Sequence, residues 1–241
     1  RDGLELIHEA NRLECYVPIV FLTAESGSKV DIEAMNAGAL DYLIKGEFTP
    51  QMLERSLRYA LKLASTLHAL RLLATRDELT GLLNRRVFES VLKEEMERSR
   101  RFKRTFALAI LDIDHFKSVN DTHGHPVGDT VLVEVANRLQ SSVRSVDRVM
   151  RYGGEEFIVL MLESDLEMAR ASAERLCEEV RIEPVEADGK ELKITISAGI
   201  AIYPHDGRNR ADIVQAADQA LYNAKESGRD RMVAFVDIAN R

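Results

Sequence analysis

Hydrophobic residues in the first third of the chain follow a helix–strand–helix–strand–helix order. One apolar helix face spans residues 4–13, a continuous apolar strand follows at 18–23, and a helix at 28–37 is closed by Gly38. A second strand at 40–44 leads to a helix that Thr49 caps and Pro50 opens. Continuously apolar strands alternating with helices predict an α/β segment whose parallel sheet is covered on both faces.

A helical pattern without glycine or proline extends from Pro50 to about Thr75. It favours a linker helix that pairs with a second copy of the chain, and the alternative is a helix packed on its own domain. The apolar positions that carry the coiled-coil spacing of alternating three and four residues are Ala60, Leu63, Leu67, Leu70 and Ala74.

From residue 77 onward, helices and strands alternate again. Gly153 and Gly154 separate two strands, which predicts a two-residue hairpin turn, because such a turn needs positive φ. Helices are predicted at 84–102, 130–143, 165–182 and 211–227, and strands at 105–111, 147–152, 157–161, 192–201 and 232–236.

The composition narrows the class of protein. A length of 241 residues suits two domains, and a net charge of −7 argues against a general nucleic-acid or membrane-surface binder. The apolar runs are strand-sized, so we expect no membrane span and no signal peptide. Cys15 and Cys177 are far apart, which indicates a reduced, cytoplasmic protein without a cysteine metal site. The chain begins without a methionine, in the middle of a pattern, as expected of a piece of a longer protein.

Two adjacent acids, Glu155 and Glu156, follow the paired glycines. Neighbouring carboxylates repel each other unless a cation lies between them, and a glycine turn lets a ligand approach the backbone. The segment therefore suggests a site for a metal and a phosphorylated ligand. The alternative is a solvated hairpin tip with exposed acids.

A second acidic segment follows the buried strand at 105–111. Asp112 and Asp114 are expected on the same side, and a buried carboxylate is costly unless it is paired or binds a metal. His115, Phe116 and Lys117 begin a helix whose free N–H groups favour a phosphate. We expect one of the two aspartates to cap this helix and Asp112 to face the ligand.

Residues 120–129 are predicted to form a polar loop, with Asp129 capping or beginning the next helix. The carboxylate of Asp129 and the amide of Asn120 are a pair that can recognise guanine by hydrogen bonds. His123 and His125 lack a third ligand, which disfavours a metal site.

Lys225 and Arg229, at the end of the helix at 211–227, favour a phosphate clamp or pairing with the helix dipole.

The segments "PIVFLTA" and "AGALDYLIK" resemble the C-terminal half of a response-regulator receiver domain, a flavodoxin-like fold. The resemblance implies that Thr23 and Lys45 contact a phosphorylated aspartate and that Tyr42 changes rotamer on activation. It also implies an upstream histidine kinase. The family's first three strands, with the phosphoacceptor, are not in this sequence, and the alternative is that Thr23 and Lys45 are ordinary strand-end residues.

The region from about residue 77 to 235 resembles a GGDEF-domain diguanylate cyclase in its Gly-Gly-Glu-Glu-Phe form. The segments "DELTGLLNRR", "DIDHFKSVND", "GHPVGD", "RYGGEEF", "ISAGIAIYP" and "ADQALYNAKESGRD" occur in the family's order. The implied fold is α/β and similar to nucleotidyl cyclases and polymerase palms, with a mostly antiparallel central sheet flanked by helices. The expected parts are a receiver-like portion at 1–59, a coiled-coil linker at 60–76 and the cyclase domain at 77–241.

The resemblance implies that a homodimer condenses two GTP into cyclic di-GMP and releases two pyrophosphates, with Mg²⁺ or Mn²⁺. The implied metal ligands and catalytic acids are Asp112, the Ile113 carbonyl, Glu155 and Glu156. The implied GTP contacts are Asn120 and Asp129 for guanine, and Lys117, Lys225, Arg229, Gly153, Gly154 and the N–H groups of His115 and Phe116 for the phosphates. The alternative is a non-catalytic module that binds GTP or cyclic di-GMP.

Arg144 and Asp147 lie three apart, shortly before the glycine turn. They resemble the family's Arg-x-x-Asp inhibitory site for cyclic di-GMP, and Arg175 matches a supporting arginine. This implies product inhibition, and the alternative is a surface salt bridge.

Overall fold

The computed structural model describes residues 3–13, 17–24 and 28–239 and divides the chain into two compact units, 1–74 and 75–241. Cys15 lies outside the described residues. In the described ranges no helix has the length and apolar character needed to cross a membrane. Burial raises the pKa of the Cys177 thiol to about 12, so this cysteine stays neutral.

The first unit contains α1 (Gly3–Arg12), β1 (Val20–Thr23), α2 (Ser28–Ala37), β2 (Asp41–Ile44) and most of α3 (Pro50–Thr75). β1 and β2 pair in parallel, as the alternating pattern predicts. Ile7 and Ala34 belong to a small core between the helices and strands. On α3, Ala60 is buried, whereas the leucines of the predicted seam are exposed, at 46% for Leu63 and 57% for Leu70.

The second unit is built on a six-stranded mixed sheet in the order β10-β9-β4-β6-β5-β3, with three antiparallel and two parallel pairs. Its strands are β3 (Leu83–Asn84), β4 (Phe106–Ile113), β5 (Arg148–Gly153), β6 (Glu156–Met161), β9 (Ile196–Tyr203) and β10 (Met232–Ala234), and β7 (Val185–Ala187) pairs separately with β8 (Lys190–Leu192). Its helices are α4 (Arg85–Phe102), α5 (Phe116–His123), α6 (His125–Ser142), α7 (Leu166–Ile182), α8 (Arg210–Glu226) and α9 (Phe235–Ala239).

Helices cover both faces of this sheet, which explains why every residue of β4 is buried. Leu111 and Ile113 pack into the core that contains residues of α6 and α7. Leu108 and Ile110 point the other way, into the core that contains residues of α4 and α8. Asp112 continues this second set of alternate positions, so its side chain lies on the α4 and α8 side of the sheet.

A glycine lets α8 lie unusually close to the sheet. A Cβ added to Gly199 on β9 would be 2.1 Å from the backbone N of Leu221 and 2.2 Å from the carbonyl O of Ala217. No side chain fits in that gap, so Gly199 sets the distance between β9 and α8. The C-terminal turn of α8, with Lys225, is thereby held against the end of β4.

The predicted polar loop at 120–129 is wrong. α5 extends to His123 and α6 begins at His125, so a single residue, Gly124 with φ 84°, connects the two helices. Positive φ ends the first helix, and Pro126 suits the first turn of the second. Asp129 therefore lies within α6 and does not cap it.

Smaller differences concern strand ends and short elements. The strand predicted at 192–201 is divided between β8 and β9, and the last strand ends at Ala234, where α9 begins. β3, β7 and α9 were not predicted, because elements of two to five residues are too short to show a period.

Candidate active site

The hairpin turn lies one residue later than predicted. Gly153 ends β5 opposite Glu156, after a bulge that follows Arg151, and the turn residues are Gly154 and Glu155. Of the two glycines only Gly154 has positive φ, at 55°. A Cβ added to either glycine would meet no atom within 4 Å, so the turn faces open space. Glu155 consequently lies on the turn, whereas Glu156 belongs to the sheet.

Two of the predicted acids face each other across neighbouring strands. Asp112 on β4 is paired directly with Glu156 on β6. Asp112 is buried, while Glu155 and Glu156 are half-buried. Burial raises the pKa of each of the three carboxyls, and the charge of Asp112 raises the pKa of both glutamates further. This corner of the sheet therefore favours a cation or a proton.

A lysine partly supplies that positive charge. Lys225 Nζ lies 2.9 Å from Asp112 Oδ1, and this contact opposes the burial-driven rise of the Asp112 pKa. Arg229, four residues later, also lowers it. The structure thus brings both predicted phosphate cations of α8 and its following turn to the acidic corner.

The oxygen atoms of these acids are suitable ligands for a metal ion. Asp112, Glu156 and the carbonyl of Ile113 are oxygen donors at one strand end, as hard divalent cations require. Among the residues that the structure describes, no three His, Cys, Asp or Glu side chains lie close enough together to coordinate one metal ion. The residues fit a divalent cation, with Asp112 and Glu156 as the pair already opposed.

Neither aspartate caps α5, which corrects that prediction. The N-cap position is His115, with φ 57° and no side-chain capping bond. Asp112 pairs with Lys225, and Asp114 accepts hydrogen bonds from Thr195, Ser197 and the backbone of Asp230. Phe116 is buried at the start of α5, and the exposed Lys117 follows it.

The predicted guanine-recognition pair lies where α5 meets α6. A Cβ added to Gly128 would be 1.9 Å from Asn120 Oδ1, so the amide of Asn120 rests on the backbone of Gly128. Asp129 is the next residue and is exposed. The helix–glycine–helix connection therefore brings residues 120 and 129 to neighbouring positions.

The Arg-x-x-Asp segment forms a closed turn before β5. Asp147 is buried, and its two carboxylate oxygens accept hydrogen bonds from Arg144 N at 3.1 Å and Leu162 N at 3.0 Å. The Arg144 side chain is exposed, and Arg175 donates to Ser142 O nearby, at 3.1 and 3.3 Å. Asp147 thus holds the turn through backbone groups, and both arginines are at one corner of the unit.

Arg151 is a site residue that the sequence analysis missed. Its Nη1 is 2.9 Å from Asp77 Oδ1, and its Nε and Nη2 donate to the carbonyl of Gly154 at 3.1 and 2.8 Å. Asp77 also accepts from Thr80. Burial would raise the Asp77 pKa, but the hydrogen bonds of Thr80 and Arg151 lower it below its usual value. No local pattern could have linked positions 74 residues apart.

The second unit is an α/β domain with a mixed sheet, and opposed acids lie beside its Gly-Gly turn. Lys225 of α8 and Arg229 of the following turn add positive charge at this corner, which suits a cation and a phosphorylated ligand. The chain belongs to the family described as diguanylate cyclase, GGDEF domain, whose model matches residues 74–231. Diguanylate cyclases are enzymes of the nucleotidyltransferase class.

Individual relatives of this chain are also described as diguanylate cyclases. Diguanylate cyclase A of Treponema denticola is 40% identical over 163 residues, which are 66% of this chain and 44% of the relative. Probable diguanylate cyclase DgcT of Escherichia coli is 42% identical over 180 residues, which are 73% of this chain and 39% of the relative. The chain thus spans less than half the length of either protein.

A solved structure matches the fold. The coiled coil and GGDEF domain of DgcB from Caulobacter crescentus, in complex with c-di-GMP, superposes with a TM-score of 0.69 at 31% identity. The match covers 76% of this chain and 97% of that one.

Proposed function

We propose that this chain is a diguanylate cyclase, which condenses two GTP into cyclic di-GMP and releases two pyrophosphates. The observation that carries the proposal is the direct pairing of Asp112 with Glu156 beside an open glycine turn and within reach of Lys225. This arrangement provides opposed carboxylates for a cation and positive charge for phosphate in one corner of a GGDEF domain.

Asp112, Glu156, Glu155 and the Ile113 carbonyl are the residues that would hold a divalent metal, Mg²⁺ or Mn²⁺. When bound, the metal supplies charge stabilisation at the reacting phosphate and lowers the pKa of a coordinated hydroxyl. Burial raises the pKa of each of the three side chains, and the charge of Asp112 raises the pKa of both glutamates further, so a bound cation would offset both effects.

The remaining residues bind and orient the substrate. Lys225, Arg229 and Lys117, with the N–H groups of His115 and Phe116, hold the outer phosphates. The open surface at Gly153 and Gly154 admits the triphosphate. Asn120 and Asp129 accept and donate hydrogen bonds to guanine.

One domain holds one GTP, so the reaction needs two copies of the chain. The 3′-oxygen of each GTP must attack the α-phosphate of the other, which requires two sites face to face. The exposed leucines of α3 support a homodimer, because a helix with an apolar seam is stabilised by pairing with another copy. The dimer is thus part of the catalytic proposal.

Regulation is proposed at two places. Residues 1–59 act as part of a receiver domain that an upstream histidine kinase phosphorylates in the cytoplasm, with Thr23, Lys45 and Tyr42 in the roles of that family. Cyclic di-GMP binds at Arg144, Asp147 and Arg175 and inhibits the enzyme. The forked donors of the two arginines suit guanine and phosphate.

The test is incubation of the purified chain with GTP and Mg²⁺, with cyclic di-GMP and pyrophosphate measured as products. Glu156→Gln should abolish both products, whereas Glu186→Gln, an exposed glutamate on β7, should not change them. Binding of GTP without products in the parent chain would instead establish a non-catalytic binding module.

A further inference from the structure

Asp114 is a buried carboxylate, only 6% exposed, to which the reaction assigns no role. Three donors from two distant segments converge on it. Thr195 Oγ1 donates at 2.7 Å and Ser197 Oγ at 2.6 Å, both from the region of β9, and Asp230 N donates at 3.1 Å from the turn after α8. Asp114 therefore connects the end of β4 with the segment that follows Lys225.

That segment has a backbone that needs support. Gly228, Arg229 and Asp230 all have positive φ, at 109°, 62° and 46°. The left-handed region is unfavourable for residues other than glycine, and such strain persists where surrounding contacts hold it. The bond from Asp230 N to Asp114 is one such contact, and the bond from Arg229 N to Ala224 O, at 3.0 Å, is another.

The strained turn determines where the Arg229 side chain points. Arg229 lies between the end of α8 and the anchored Asp230, and its charge reaches Asp112, where it opposes the effect of burial. If the anchor were lost, the turn could relax toward ordinary φ values and carry the guanidinium away. Arg231 O also accepts from Ala198 N at 2.9 Å, and the Asp230 carboxylate pairs with Arg181 at 3.1 Å. The bond from Asp230 N to Asp114 is the contact that joins the turn to the end of β4.

We propose that Asp114 is a positioning residue for nucleotide phosphates, which holds the Arg229 turn in the one conformation that presents the guanidinium to the phosphate chain. This rests on the proposed function, since it deepens the role of Arg229 in GTP binding. Asp114 itself contacts no substrate. It makes the site selective for nucleotides with a diphosphate or triphosphate over the bare nucleoside.

The chemistry of the network makes alanine the informative replacement. Asp114 Oδ2 accepts from Thr195 Oγ1 and from Asp230 N, and Oδ1 accepts from the Ser197 hydroxyl. An asparagine would keep the first two bonds through its carbonyl oxygen and donate its NH₂ group to the Ser197 hydroxyl, which also accepts. Asp114→Ala removes both accepting oxygens and therefore breaks the anchor.

The experiment measures binding of GDP and of guanosine to the full chain, with Mg²⁺ present, by calorimetry. GDP carries the phosphates without being a substrate, and guanosine reports the base contact alone. The variants are Asp114→Ala, Arg229→Ala and their combination. Asp206→Ala is the control, because Asp206 accepts a backbone bond from Ile202 at the opposite end of β9.

Asp114→Ala and Arg229→Ala should each weaken GDP binding about tenfold and leave guanosine binding unchanged, since one lost charge-assisted bond has about this effect. The combined variant should bind GDP no more weakly than Arg229→Ala alone, because both changes remove the same contact. Additive losses, or an unchanged GDP affinity in folded Asp114→Ala, would overturn the proposal.

Two further outcomes are distinguishable. If Asp114→Ala does not fold, the Thr195→Val/Ser197→Ala variant removes the two hydroxyls that orient the carboxylate. It should lose GDP affinity but not guanosine affinity, and an unchanged GDP affinity or equal losses of both refute the proposal. If the parent chain binds neither GDP nor guanosine, the proposed function itself fails, and the role of Asp114 fails with it.

Discussion

Lys225 Nζ lies 2.9 Å from Asp112 Oδ1, and both groups are on the α8 side of the central sheet. A residue expected to bind phosphate is therefore paired with the acid expected to bind a metal. The ammonium favours the charged form of this buried carboxylate and so opposes the rise in its pKa that burial causes.

Lys225→Met should separate the role of Lys225 as the charge partner of Asp112 from its role as a phosphate contact. Without the ammonium, Asp112 is an unpaired buried carboxylate, which costs about 1–3 kcal/mol of stability. Mg²⁺ alone should then raise the Tm of the variant more than that of the parent, because the cation no longer competes with lysine. Cyclic di-GMP production should still fall, because a phosphate contact is lost. An equal rise in Tm with Mg²⁺ in both proteins would argue against the idea that the lysine ammonium and Mg²⁺ occupy the same position beside Asp112.

The ion pair between Asp77 and Arg151 predicts a pH-dependent stability. The folded-state pKa of Asp77 lies below its usual value of 3.8, so its contribution is fully present above 3.8 and is lost as pH falls through the folded value. Asp77→Asn should lower the free energy of unfolding by about 1 kcal/mol, or about 3 °C in Tm, at pH 7. The difference should persist at pH 5 and close as pH falls below 3.8 and through the folded-state pKa. Thermal unfolding of both proteins across this range measures it, and a gap that persists in acid would contradict the assignment.

Gly128→Ala should impair recognition of the base. An added Cβ would overlap the position of Asn120 Oδ1, at 1.9 Å, and would displace the amide. Alanine is favoured over glycine in a helix, so the fold should not be weakened by the backbone. The KM for GTP should rise about tenfold, as expected for a lost hydrogen-bonding partner, with little change in kcat. Steady-state kinetics test this, with Gln140→Ala, an exposed α6 residue, as the control.

Leu63→Glu/Leu70→Glu should yield a monomeric and inactive protein. These leucines are exposed on one seam of α3 in the single chain, and charges there oppose pairing of two helices. Leu61→Glu/Leu72→Glu changes equally exposed leucines outside the seam and should remain dimeric. Light scattering and turnover at low protein concentration decide the matter, and a monomer with normal turnover would refute the dimer mechanism.

Arg144→Ala should relieve inhibition by added cyclic di-GMP without lowering the initial rate. The turn itself should persist, because Asp147 binds the backbone N of residue 144 and not its side chain. Initial rates at increasing product concentration provide the measurement. Unchanged inhibition would show that the product does not bind at this corner.

Much of the secondary structure follows from local pattern. Apolar spacing and capping residues predict the strand that runs into Asp112, the helix at Pro50–Thr75 and the helix after Asp165. The acids of the hairpin and Asp112 are likewise marked by their position beside apolar strands. Local rules failed at residues 120–129, where one glycine joins two helices, and at the turn, where a bulge shifts the hairpin by one residue.

Local patterns in the chain predict most of the helices and strands and the polar residues that interrupt them, because those properties depend on neighbours a few residues away. The positions of Asp112 opposite Glu156, of Lys225 beside Asp112 and of Asp114 at the Arg229 turn appear only in the folded structure. These contacts join segments that are more than forty residues apart. Strand register and the packing of α8 on Gly199 create them, and neither leaves a local pattern in the chain.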